Sequence, residues 1–199
     1  FRRELQAALR SRDNLTGALD RDQALPELRR WRATSNPGAE PWCIVLMDVD
    51  RLEAVNGQYG YAIGDALLAE SARLMQELLR PGDKVFRYGG DEFLITLPGA
   101  DLPAAKGIAA VLRDGLAGRE LFVAGVGSPL QVTASFGVAE LEPDIRLEDC
   151  IDHAAQALLL AKAAGGNRAI SWDPTATTGR HWRRLELDEI PRPIGDPAK

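Results

Sequence analysis

Two adjacent carboxylates, Asp91 and Glu92, follow a glycine pair in the run Arg87-Tyr88-Gly89-Gly90-Asp91-Glu92-Phe93, between strand-like segments at 84–88 and 93–97. That run commits the chain to a β-hairpin with an acidic tip. Both glycines can take positive φ, as tight hairpin turns require. Without side chains they also let a bulky anion lie against the backbone. Carboxylates at such a tip are poorly placed for a core and well placed for a divalent cation. Mg2+ prefers oxygen ligands and completes its shell with substrate phosphates. For Gly-Gly-Asp alone a solvated hairpin tip is the plainer reading; the flanking Arg-Tyr and Glu-Phe and the partners elsewhere in the chain weigh against it.

Around the hairpin, strand and helix patterns alternate. Residues 1–11 read as the end of a helix with Leu5, Ala8 and Leu9 on one face, Asp13-Asn14-Leu15-Thr16-Gly17 breaks it, and a helical pattern resumes over 19–31. Residues 42–49 form a buried strand, 52–55 a short helical turn and 63–79 a long amphipathic helix stopped by Pro81-Gly82. A helix over 102–116, a strand over 131–139, a helix over 147–164 ending at Gly165-Gly166 and a strand over 168–172 follow. The expected fold is α/β, a mixed central β-sheet flanked by helices, with the hairpin projecting its acidic tip. The expected organisation is a linker or signalling helix at 1–12, one domain at 13–173 and a tail or linker at 174–199. Beginning at Phe1, the chain reads as part of a longer protein.

The 199 residues are 45% hydrophobic and 27% charged, the profile of a globular protein, and no apolar run is long enough for a bilayer. A net charge of −5 argues against a nucleic-acid surface, which needs a basic face. Cys43 and Cys150 lack metal-type spacing and read as free thiols, which fits a cytoplasmic setting.

Asp48 ends the buried strand, where α/β folds place ligand-binding groups. If that strand neighbours the hairpin, Asp48 can meet Asp91 and Glu92, and the carboxylates would repel strongly unless a cation sat between them. That is the arrangement of metal-assisted phosphoryl or nucleotidyl transfer. Further segments occur in one order: Asp13-Asn14-Leu15-Thr16-Gly17 with Arg21, Asp48-Val49-Asp50, Asn56 with Gly60, Gly64 and Asp65, the strand Val132–Ala139, and Ala161-Lys162-Ala163-Ala164-Gly165-Gly166-Asn167-Arg168. Over residues 12–172 the chain resembles the GGDEF domain, the diguanylate cyclase family, with its nucleotidyl-cyclase, palm-like fold.

The resemblance implies a homodimer that condenses two GTP molecules into cyclic di-GMP and pyrophosphate. Asp48, the Val49 carbonyl, Asp91 and Glu92 would hold Mg2+, with Mn2+ as the alternative ion. Asp91 and Glu92 would be the catalytic carboxylates, Asp91 helping to deprotonate the attacking ribose 3′-OH. Asn56 and Asp65 would read guanine, Gly89 and Gly90 would lie against the nucleotide, and Lys162 would contact phosphate. A carboxylate accepts from guanine N1–H and its exocyclic amine, a donor pair that adenine lacks. Arg80-Pro81-Gly82-Asp83 has the Arg-x-x-Asp form of the family's inhibitory product site, and Arg113 is a candidate second cation there. As a plain helix end, the same run would set Arg80 against the dipole and use Pro-Gly as the stop.

The chain also departs from the family pattern. Glu53 replaces a lysine expected near the triphosphate, Gly57 an aspartate, Tyr61 a histidine, and Gly166 a common second cation; the late helix carries His153-Ala154-Ala155 and Leu159. These changes thin the phosphate clamp and leave the metal and guanine sets intact, so an active cyclase is expected. The alternative is a weak or inactive domain acting as a receptor for cyclic di-GMP or GTP; dimerisation through residues 1–11 alone would not explain the carboxylates.

Overall fold

A computed structural model describes residues 12–34, 40–123 and 126–174. The expectations for the helix at 1–11 and for most of the tail at 174–199 lie outside the described residues. The central strand, β2 (Trp42–Val49), is a near-continuous apolar run, buried at every position after Trp42. A strand of that composition suits the middle of a sheet covered on both faces. It pairs antiparallel with β4 (Glu92–Pro98) on one side and β7 (Ala134–Glu140) on the other. β3 (Lys84–Arg87) pairs antiparallel with β4, β1 (Leu19–Asp20) runs parallel to β3 at one edge, and β8 (Ala169–Ser171) runs parallel to β7 at the other. The mixed six-stranded order is β1-β3-β4-β2-β7-β8, and β5 (Glu120–Leu121) with β6 (Leu130–Gln131) forms a separate ribbon.

Alternation along β2 divides the core. Cys43, Val45, Met47 and Val49 face α3 (Tyr61–Leu78) and α4 (Leu102–Ala117), packing with Leu67, Met75, Ala109 and Leu112. Ile44 and Leu46 face α1 (Ala24–Thr34) and α5 (Leu147–Ala163), with Leu28, Ile151 and Leu158. Asp48 shares the parity of the second set, so the period of the strand sends its carboxylate to the α5 face. α5 lies unusually close to that face. A Cβ added at Gly137 would stand 2.0 Å from the Ala154 carbonyl oxygen and 2.3 Å from the Leu158 nitrogen.

Several expected elements differ in extent. Residues 19–31 begin as strand β1 and a 3-10 turn over Arg21–Gln23 before α1 starts, because Leu19 and Asp20 pair with Phe86 and Arg87 at the sheet edge. The short turn at 52–55 is a full helix, α2 (Leu52–Tyr59), which closes where the Gly60 N–H donates to the Asn56 carbonyl and Gly60 turns to φ +87°. The strand expected over 131–139 is broken, since Leu130–Gln131 pairs with β5 and the Thr133 carbonyl accepts the Asp50 N–H at 2.8 Å. Cys43 and Cys150 are free and buried. Among the described residues no helix is long and apolar enough to cross a membrane.

Candidate active site

The register of β2 against β4 sets Asp48 directly opposite Glu92, and Asp91 is the next residue toward the hairpin tip. Asp48 is 4% exposed. Burial lifts its carboxyl from the ordinary 3.8 to about 6; the Lys162 hydrogen bond pulls it down, and the negative charges of Asp91 and Glu92 push it up again. Lys162, in the last turn of α5, brings its Nζ to 2.5 Å from Asp48 Oδ2. Asp91 and Glu92 are half-buried, and their side-chain carboxylates make no hydrogen bond or ion pair among the described residues. The ammonium of Lys162, rather than a third carboxylate, is thus the partner closest to Asp48, and the described acidic side chains do not converge as a closed metal cage. One buried and two unpartnered carboxylates beside the Val49 backbone nonetheless suit a hard cation that takes most of its shell from water and phosphate.

The hairpin closes through the Tyr88 and Gly89 N–H groups, which both donate to the Glu92 carbonyl, at 2.8 and 3.1 Å. Neither Gly89 nor Gly90 has a positive φ, which corrects the expectation of a turn built on left-handed glycines. What matters at Gly89 is the missing side chain, since a Cβ there would stand 3.0 Å from Glu92 Oε2. At Gly90 nothing lies within 4 Å of an added Cβ, so the tip stays open.

Asn56 sits on α2 and Asp65 in the first turns of α3. The Asn56 side chain lies against Gly64, where an added Cβ would fall 1.9 Å from Asn56 Oδ1. That oxygen is buried with no hydrogen-bond partner among the described residues. A buried, unpaired amide oxygen beside an exposed Asp65 carboxylate makes a polar edge able to bind a planar donor–acceptor group.

Arg80 and Asp83 stand together and are paired with each other. Arg80 Nε and Nη2 donate to Asp83 Oδ2 and Oδ1 at 3.3 and 3.2 Å, and Nη2 also reaches the Pro98 carbonyl at 3.3 Å. They flank a groove of about 290 Å3 whose apolar wall includes Leu78, Ile108 and Val111. The Arg113 guanidinium is engaged by its neighbour Asp114 at 2.7 and 2.9 Å. His153 is stacked on Trp172 with ring centroids 4.4 Å apart, so its role is packing.

Residues 10–168 match the family described as "Diguanylate cyclase, GGDEF domain". The chain belongs to the GGDEF family. Diguanylate cyclase DgcM of Escherichia coli K12 is 31% identical over 166 residues, 80% of this chain and 38% of DgcM. Diguanylate cyclase DosC of the same strain is 32% identical over 161 residues, 80% of this chain and 35% of DosC. The chain therefore spans little more than a third of these curated relatives. Among solved structures, diguanylate cyclase SiaD of Pseudomonas aeruginosa, crystallised with its activator SiaC, superposes with a TM-score of 0.78 at 34% identity, over 85% of this chain and 66% of SiaD. The GGDEF domain of DgcB from Caulobacter crescentus, in complex with c-di-GMP, superposes with a TM-score of 0.77 at 26% identity, over 82% of this chain and 93% of that one.

In this GGDEF domain the structure adds residues that sequence reasoning left without a role. Arg87 spans from the opening turn to the hairpin tip, donating to Asp13 Oδ1 at 2.9 Å and to the Gly90 carbonyl at 2.7 Å. Asp13 Oδ1 also accepts from the Thr16 backbone N–H and hydroxyl at 2.8 and 2.6 Å. Burial works against the Asp13 charge, but the Thr16 and Arg87 hydrogen bonds outweigh it and hold the carboxyl below its usual range. Arg21 caps the adjoining Tyr88 ring, its guanidinium carbon 4.6 Å from the ring centroid. The signal for Arg87 was its place beside the glycines and for Asp13 its place in the opening segment; nothing in the sequence paired the two, 74 positions apart.

Proposed function

We propose that this chain is the catalytic domain of a diguanylate cyclase, with residues 13–173 forming the enzyme domain, 1–12 a signalling linker and 174–199 a tail. The observation that carries the reading is the buried Asp48 carboxylate, in register with Glu92 and next to the hairpin-tip Asp91. Asp48, the Val49 carbonyl, Asp91 and Glu92 would hold Mg2+ or Mn2+, which supplies charge neutralisation of the triphosphate and a lower pKa for the attacking hydroxyl. The ribose 3′-oxygen of one GTP attacks the α-phosphorus of the other. A P–O bond forms, the bond to the β-phosphate oxygen breaks, pyrophosphate leaves, and Asp91 accepts the hydroxyl proton. Asn56 and Asp65 would bind the guanine edge, Gly89 and Gly90 would leave room for the phosphates, and Lys162 would carry positive charge to them. One site holds one GTP, so closing the ring needs two subunits face to face.

The Arg80–Asp83 pair would bind the product cyclic di-GMP as an inhibitor. Support comes from the solved relatives with c-di-GMP bound. A ligand using both side chains must open the pair they make with each other. A receptor for cyclic di-GMP or GTP is the second reading, favoured by the acidic Glu53 where a phosphate-binding lysine is expected. Incubating the purified chain with GTP and Mg2+ separates the two, with products resolved by chromatography beside an Asp91→Ala control. Cyclic di-GMP from the parent alone supports the cyclase. No product at high protein concentration, with cyclic di-GMP binding that Arg80→Ala abolishes, makes this domain a receptor.

A further inference from the structure

Asp48, near the end of β2, and Asp50, just past it, both hold the C-terminal end of α5, Asp48 through the helix and Asp50 through the turn beyond it. Asp48 holds Lys162, in the helix's last turn, at 2.5 Å. Asp50 Oδ2 accepts the Asn167 backbone N–H at 2.8 Å and the Thr133 hydroxyl at 2.7 Å, and its Oδ1 accepts the Ser135 hydroxyl at 2.7 Å. The Asp50 carboxylate is thereby committed to protein donors, whereas the side-chain carboxylates of Asp91 and Glu92 have none among the described residues. That contrast separates Asp50 from the carboxylates left free for a cation.

The backbone between the two gripped residues is itself unusual. Gly165, Gly166 and Asn167 have φ of +109°, +73° and +48° in succession. Left-handed residues normally occur singly, and Asn167 carries a Cβ that crowds its own carbonyl there. Such a path persists where the surroundings over-determine it. Here Asp50 supplies the constraint: a Cβ on Gly166 would stand 3.0 Å from both of its carboxylate oxygens. The Gly165 and Gly166 N–H groups tie the turn back to the helix end, donating to the Lys162 and Ala161 carbonyls at 3.0 and 3.1 Å.

We infer that Asp50 is a positioning residue for Lys162, clamping the turn at 165–167 so that the last turn of α5 presents the lysine ammonium to Asp48 and to the phosphates. A lysine on a flexible four-carbon stem is directed only as well as its backbone is held. The Asp50 clamp holds that backbone from the strand that carries Asp48, so ammonium and carboxylate share one frame. The inference rests on the proposed reading of Lys162 as a phosphate contact, and its test separates the two.

Calorimetry of a non-hydrolysable GTP analogue with Mg2+ is run on the parent, Lys162→Met, Asp50→Ala and the double variant. Lys162→Met and Asp50→Ala should each weaken binding by about tenfold, the scale of one charge-assisted hydrogen bond. The double variant should be no weaker than Lys162→Met, because neighbours acting through one contact are not additive. Asp50→Asn, whose amide oxygen still accepts from Asn167 and Thr133, should recover most of the loss, a rescue that a requirement for charge at Asp50 would not allow. Should Asp50→Ala fail to fold, Thr133→Val takes its place in the cycle, removing one donor to Asp50 with little change of volume. Losses that multiply in the double variant, or an Asp50→Ala that binds as the parent does while Lys162→Met weakens, overturn the inference. A Lys162→Met variant that binds as tightly as the parent overturns the phosphate reading itself, and the inference falls with it.

Discussion

Without divalent cations at pH 8, Asp48→Asn should make this protein more stable. Burial, opposed by Lys162 and reinforced by Asp91 and Glu92, lifts the Asp48 carboxyl from the ordinary 3.8 to about 6. Keeping it ionised in the folded chain is then less favourable by about 3 kcal/mol than in the unfolded chain. The folded state binds this proton more tightly than the unfolded state. The stability it contributes is therefore fully present below about pH 4, is lost as pH rises to about 6, and does not fall further above that. Asparagine keeps the shape and discards the charge. It also strips Lys162 of its counter-ion, but the Lys162 side chain is 40% exposed and its stem can carry the ammonium to water. The net gain should be about 1–3 kcal/mol at pH 8. Urea unfolding of both proteins at pH 8, 6 and 4 measures it, and the gain should shrink toward pH 4. Equal or lower stability of the variant at pH 8, or a gain that grows on acidification, would refute the reasoning. Mg2+ should raise the unfolding midpoint of the parent and leave that of the variant where it was, since a ligand stabilises only the state that binds it.

Gly64→Ala should leave the fold intact, because alanine is the better helix former by about 1 kcal/mol, yet its Cβ would land 1.9 Å from Asn56 Oδ1 and displace that amide; calorimetry with a GTP analogue should show binding as weak as that of Asn56→Ala. Gly137→Ala meets α5 backbone rather than a flexible side chain, and urea denaturation should show a loss of at least about 1–3 kcal/mol from overpacking. Arg80→Ala leaves the Asp83 carboxylate, whose side chain is 2% exposed, without its guanidinium partner and with the backbone N–H of position 80 as donor, so urea denaturation should show a loss of about 1–3 kcal/mol while titration with cyclic di-GMP shows binding abolished. Arg87→Ala should lower cyclic di-GMP production with GTP and Mg2+, because it frees the Gly90 carbonyl and the Asp13 turn together; production equal to the parent's would show that the hairpin tip holds its shape without that bridge.

Most of the fold was legible because its signals are local. The apolar run at β2, the Pro-Gly stop after α3 and the glycines after α5 each announce themselves within a few residues. β1 and β5 carry two residues each, too few for a period to show, and exist only because an edge elsewhere in the chain receives them. The site divides in the same way. Asp91 and Glu92 were visible as an acidic pair on a glycine turn, and Asp48 as the polar end of a buried strand. That Asp48 faces Glu92 follows from register, which no short stretch of sequence records. The Lys162–Asp48 contact joins residues with most of the domain's chain between them and was likewise out of reach.

Glycine shows most plainly why composition alone misleads. At Gly89 and Gly90 the obvious expectation, positive φ, is absent, while Gly165 and Gly166 combine it with a close approach. At Gly64, Gly89, Gly137 and Gly166 an added Cβ would meet, respectively, the Asn56 amide, the Glu92 carboxylate, the backbone of α5 and the Asp50 carboxylate. Three of these neighbours are polar groups of the site or of the turn that frames it; the fourth lets the helix bearing Lys162 lie close to the sheet. A residue defined by what it lacks takes its meaning from what moves into the space. The same letter can therefore mark a hairpin in one place and the seat of a buried amide in another, and only the packed chain distinguishes them.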